Sequence, residues 1–190
     1  MKFLDELKRI WWDITGSRYL HWQSFYSLIP SYIGQRLRLR FYRKWLKSMG
    51  QNCKFHDHVY IRNPNKFSMG NRCHIGYGAR IQAGGGLTFG DGVLLGPGVS
   101  IWTSNHRFDD PDVPITDQGQ EFKEVTIESD VWLGANSFIM PGTHLGRGSV
   151  VSAGAVVGGK RYKDFSILAG NPARVIGYRG ARSNQPEPSA

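Results

Sequence analysis

The sequence predicts an all-β solenoid with an α-helical segment at its N-terminal end. Three observations carry the prediction. First, an aliphatic residue recurs at every sixth position through Met69, Ile75, Ile81 and Leu87, slips two residues to Phe89, and continues at Leu95 and Ile101. After an irregular stretch the beat resumes at Ile127, Leu133, Ile139, Leu145, Val151 and Val157. Second, the next residue is usually small (Gly70, Gly76, Gly90, Gly96, Gly134, Gly146), and the fourth after each aliphatic is small or β-branched (Cys73, Ala79, Val93, Val99, Val131). Third, a period of six fits neither a helix nor a simple amphipathic strand, so it marks a repeat of short strands and tight corners. The aliphatic fills the inside of each face, and the small neighbours let the backbone turn without a clash.

In chain order, residues 1–50 come first and read as a basic, aromatic-rich helical segment. They hold ten Lys/Arg against three acids, +7 of a net charge of +9, and 11 of the 24 aromatic residues. Phe3, Leu4, Leu7, Ile10, Trp11 and Ile14 share one helical face, with Asp5, Glu6, Lys8, Arg9 and Asp13 mostly away from it. Gly16 and Pro30 punctuate, and a second helix is predicted from about Tyr32 to Ser48, with Gly50 placed to stop it. Two roles suit the segment. Its aromatic face can cap the open end of the solenoid, or its Trp/Tyr and Lys/Arg can hold the protein peripherally at an anionic membrane surface. Nucleic acid is not an expected partner, since no groove-binding or base-stacking motif accompanies the charge.

Residues 51–180 form the solenoid, with an imperfect early coil in Phe55, Ile61 and Phe67 and an irregular 102–124 loop insertion. An interruption of that length inside a regular array points to a functional loop. Residues 181–190 read as a disordered tail. No segment is apolar for long enough to span a bilayer, Asp5 and Glu6 sit where a signal peptide would be basic, and two cysteines make no disulfide framework. A cytoplasmic protein is expected, with Cys73 as inert filler.

Three stretches carry a resemblance: LTFGDGVLLGPGVSIWTSNH (87–106), VTIESDVWLGANSFIMPGTHLGRGSVVSAGAVV (125–157) and ILAGNPARVIG (167–177). In this order, with a histidine between the first two, the chain resembles the hexapeptide-repeat acyltransferases, the left-handed parallel β-helix family. The likeness is to the branch of the galactoside, maltose and polysaccharide O-acetyltransferases. It implies a homotrimer with active sites between adjacent prisms, acetyl-CoA as acyl donor and a carbohydrate acceptor. His106 matches the family's general base, which takes a proton from the acceptor hydroxyl as its oxygen attacks the thioester. Asn105 is a candidate to orient that ring or to bind substrate, and the cluster Asp109, Asp110 and Asp112 reads as a solvated acidic loop.

The resemblance also places Ala135 and Ala153 along the pantetheine channel. It puts Trp132 at the cleft wall or in packing between subunits, and Arg174 near the cofactor phosphates. Gly158-Gly159-Lys160-Arg161 departs from the family's Thr-Lys-Asp, leaving Lys160 as the phosphate-facing candidate with one residue of slippage. The short IQAGGG (81–86) replaces the family's acceptor-binding segment, so galactose or maltose does not follow as substrate. An O-acetyltransferase acting on a polysaccharide or lipid-linked glycan precursor is the leading expectation. An N-acetyltransferase on an amino sugar, a γ-carbonic-anhydrase-type zinc enzyme and a non-catalytic scaffold are the alternatives. No metal is expected, because the paired histidines of the zinc enzymes are missing near His106.

Overall fold

The protein is described by a computed structural model covering residues 17–180. These residues form a parallel β-solenoid of about six coils, with two helices against its first coil. The predicted helix over residues 3–14 and the tail 181–190 lie outside the described residues.

Three columns of short strands make the faces. The first stacks β1 (Ser48–Met49), β4 (Phe67–Met69), β7 (Leu87–Phe89), β12 (Val125–Ile127), β15 (His144–Leu145) and β18 (Arg161–Tyr162). The second stacks β2 (Lys54–Phe55), β5 (His74–Ile75), β8 (Leu94–Leu95), β13 (Trp132–Leu133), β16 (Val150–Val151) and β19 (Ser166–Gly170). The third stacks β3 (Tyr60–Arg62), β6 (Arg80–Gln82), β9 (Ser100–Trp102), β14 (Phe138–Ile139) and β17 (Val156–Val157). The six-residue beat is the inward position: Ile75, Leu95, Leu133 and Val151 stack on one face, Ile81, Ile101, Ile139 and Val157 on another, all buried. Each such side chain contributes about 1.5–3 kcal/mol by leaving water.

Every irregularity of the beat falls on one edge. Residues paired between neighbouring coils lie 20 apart early in the chain, as in Phe67–Leu87, 18 apart later, as in Thr126–His144, and 17 apart at the last step, as in His144–Arg161. The other two corners keep their six-residue step, so the corner leading from the third face back to the first absorbs the change. The slip at Leu87–Phe89, the 102–124 insertion and the displacement around Lys160 are three instances of one variable corner. The early coil, expected to be imperfect, is a complete turn, with Phe55, Ile61 and Phe67 fully buried.

Helices α1 (Arg18–Ser27) and α2 (Ser31–Trp45) pack against β2 and β3. The second helix ends before the predicted Ser48, and Gly50 does not stop it: Leu46 is already extended, and the Lys47 N–H donates to the Pro64 and Phe67 carbonyls. Pairing with the solenoid outweighs a further helical turn.

The helices also close the first coil chemically. The Ile61 N–H donates to Gln23 Oε1 (2.8 Å), Tyr42 donates to the Val59 carbonyl (3.0 Å), Tyr19 to the Ile61 carbonyl (2.9 Å), and Arg38 Nε to the Phe55 carbonyl (3.0 Å). Backbone groups at the edge of a sheet cost free energy when buried without partners, and these side chains supply them. At the far end, β19 turns back into β20 (Ala173–Tyr178) as an antiparallel pair.

Candidate active site

The variable corner presents His106. Its root is Thr103, fully buried, whose hydroxyl donates to Gln82 Oε1 (2.9 Å) and accepts from the Gly85 N–H (2.8 Å). Lys123 N–H returns to the Thr103 carbonyl (2.9 Å), so both ends of the excursion are tied to the prism. From there β10 (Ser104–His106) and β11 (Gln120–Phe122) form an antiparallel hairpin with His106 opposite Gln120. The tip is fastened by Gln118, which donates to the Asp110 (2.8 Å) and Val113 (2.7 Å) carbonyls and accepts from the Asp110 N–H (3.1 Å). Asp110 in turn accepts from the Asp112 N–H (3.0 Å), so these acids serve the turn. Asn105 Oδ1 accepts from the His106 backbone N–H (3.1 Å): it braces the strand and makes no bond to the ring.

His106 and Asn105 line a cleft of about 190 Å³ together with Trp102, Gln120, Phe138 and Met140. Phe138 lies opposite Ser100 and Ile139 opposite Ile101 in adjacent coils, which sets Met140 beside Trp102. An exposed imidazole against an apolar wall can accept a proton from a hydroxyl or amine held in the cleft. Sequence reasoning missed Gln120, Phe138 and Met140. The outward positions of the coil following the loop were the available signal, readable only once the register is known.

The cofactor candidates lie elsewhere on the chain. Ala135 and Ala153 stack at the corner between the second and third faces, where the Gly154 N–H donates to the Ala135 carbonyl (2.8 Å). Trp132 projects outward from the second face, half exposed, between Leu94 and Val150. Lys160 sits on the His106 edge, its ammonium 5.4 Å from the centre of the Tyr162 ring. Arg174, exposed on β20, is close enough to Tyr162 for its charge to oppose the upward push of burial on that phenol. None of the five lines the His106 cleft. Among the described residues, no group of three His, Cys, Asp or Glu is placed to hold a metal ion. Cys73 is buried, its thiol pushed up to about 11 by burial, as suits filler.

Residues 124–158 match the family model described as the hexapeptide repeat of succinyl-transferase. The galactoside O-acetyltransferase of Lactococcus lactis subsp. lactis is 31% identical over 142 residues, covering 70% of this chain and 63% of its own. WbbJ of Escherichia coli (strain K12), named as a lipopolysaccharide biosynthesis O-acetyl transferase, is 30% identical over 146 residues, covering 62% of this chain and 74% of its own. A solved galactoside acetyltransferase in complex with coenzyme A shares the fold at 23% identity and a TM-score of 0.65, over 85% of this chain and 78% of that one. The chain spans between 25% and 63% of the length of the first curated relatives it matches.

Proposed function

Because the chain belongs to the hexapeptide-repeat acetyltransferase family, we propose that it transfers an acetyl group from acetyl-CoA to a sugar hydroxyl, with His106 as general base. The observation that carries this reading is the hairpin, anchored at Thr103, which presents His106 beside an apolar cleft. The His106 ring nitrogen takes the proton from the acceptor hydroxyl as its oxygen forms a bond to the thioester carbonyl carbon. The carbon–sulfur bond then breaks, and the imidazolium returns the proton to the departing thiolate. Transfer is direct; Cys53 and Cys73 are both buried and supply no nucleophile.

Lys160 and Arg174 are our candidates for the cofactor phosphates, as an ammonium and a guanidinium each suit phosphate oxygens. Since Trp132, Ala135 and Ala153 do not line the His106 cleft of their own chain, we assign their role to the hairpin of a neighbouring copy. A homotrimer with sites between its prisms fits this assignment. The acceptor we assign is a hydroxyl of a polysaccharide or lipid-linked glycan precursor, supported by the likeness to WbbJ, and Asn105 is our candidate to contact it. This reading puts the protein in the cytoplasm, in contact with acetyl-CoA.

Calorimetric titration with acetyl-CoA, run beside His106→Ala and Arg174→Ala, tests the proposal. Binding stoichiometric with chains is expected, weakened by Arg174→Ala and retained by His106→Ala, whose acetyl transfer to a competent acceptor falls by about 10²–10⁴-fold. Absence of binding up to millimolar acetyl-CoA would overturn the reading.

A further inference from the structure

The helical pair has a second face that capping leaves unused. Tyr19, Gln23, Arg38, Phe41 and Tyr42 turn toward the first coil. Around the turn between the helices the apolar residues point the other way: Phe25 is 56% exposed, and Leu28, Tyr32 and Ile33 are 67%, 69% and 67% exposed. Trp22, 49% exposed, stacks on Tyr26 with ring centres 5.6 Å apart and meets Phe25 edge-on at 5.9 Å, so the ridge is one aromatic mass. Beside it runs a groove of about 410 Å³, where Trp22, Tyr26 and Trp45 meet Arg18, Arg40 and Lys44.

Charge names the occupant. From residue 14 to residue 56 the sequence contains no Asp or Glu. Arg18, Arg36, Arg40, Arg43, Lys44 and Lys47 are exposed, and none has an acidic partner among the described residues. An apolar ridge flanked only by cations matches a surface that offers hydrocarbon below a layer of phosphate. No helix among the described residues is long and apolar enough to cross a membrane, so the match is to lying on a bilayer.

We infer that the α1–α2 hairpin is a docking surface for an anionic lipid bilayer. Phe25, Leu28 and Ile33 enter the interfacial layer, and Arg18, Arg40 and Lys44 engage lipid phosphates. The inference is independent of the proposed transferase chemistry. It gives the protein a fixed orientation, with the solenoid standing on its capped end and the His106 hairpin leaving the third coil. Two strand spacings and one helix layer separate that coil from the ridge, roughly 20 Å in all.

Co-sedimentation of the full chain with vesicles tests it, comparing phosphatidylcholine alone with phosphatidylcholine plus phosphatidylglycerol. Binding to the anionic vesicles alone is expected, falling at least about tenfold in the pair Leu28→Ser/Ile33→Ser and in the pair Arg40→Glu/Lys44→Glu. All four positions are exposed, and an unchanged melting temperature would show each variant folded. No binding of the parent protein, or equal binding by either variant pair, would overturn the inference. So would a change of oligomeric state in the Ser variants with vesicle binding intact, which would assign the ridge to a second copy. Saturable binding of inorganic phosphate with no vesicle binding would overturn it too, in favour of a free-phosphate site.

Discussion

His106 supplies the proposed chemistry alone, and a second histidine shows how differently the same side chain is used on a strand face. His144 lies one coil from Glu128, its Nε2 2.6 Å from Glu128 Oε1, with Arg161 3.7 Å from the same oxygen. The His144 hydrogen bond holds the Glu128 carboxyl below the ordinary carboxylate value of 4.5. A carboxyl lowered in the folded state stabilises the fold above its unfolded value, and that stabilisation is lost as pH falls through the folded value. Glu128→Gln is therefore expected to lower the unfolding free energy in urea near neutral pH, by about 0.5 kcal/mol for a partly exposed pair. The gap to the parent protein should begin to narrow as pH falls below the unfolded glutamate value of about 4.3 and should close below the lowered folded one; a gap that persists in acid would mean packing, not charge, is at stake. At this scale the sequence disclosed His106 and Asn105, because they adjoin a recognisable block. It did not disclose Gln120, Phe138 or Met140, which join the cleft through a hairpin register and a coil register that no local spacing encodes.

Among the elements, the coil was legible and its ends were only partly so. A six-residue beat announces itself because two corners never vary, whereas the third takes up every insertion and made one edge look like three unrelated faults. The capping half of the helical segment was foreseen from its aromatics, but the polar atoms that make it work were not: Gln23 is buried at 1% exposure because its amide oxygen accepts the Ile61 N–H. Gln23→Ala leaves that N–H buried without a partner, and a loss of about 1–3 kcal/mol in chemical denaturation is expected. An unchanged midpoint would mean that water takes the place of the amide. The helix boundary at Trp45 was misplaced by the sequence pattern because the Lys47 N–H is claimed by Pro64 and Phe67, residues whose closeness only the fold creates.

For the whole molecule, a single chain holds the proposed machinery in two separate places, His106 on one edge and Trp132, Ala135 and Ala153 on or beside the second face. Light scattering is expected to give the mass of a trimer, and Trp132→Glu, which sets a charge on that exposed apolar strip, is expected to shift it toward the monomer and to abolish transfer. Monomeric parent protein with full activity would refute the shared site. The variable corner, finally, makes the solenoid a ruler. Strands in a sheet stand about 4.8 Å apart, and along the edge that carries both groups His106 leaves after β9 and Lys160 after β17, two divisions away. The points at which the two segments leave the prism are offset by roughly 10 Å along it, a distance counted in hydrogen-bonded strands that hairpin motion at the tip leaves unchanged. Rotation about an axis along the prism preserves it between copies as well. In the proposed reading, a donor gripped by its phosphates near Lys160 offers its carbonyl near His106, and the number of coils between them, more than any single contact, selects how long that donor has to be.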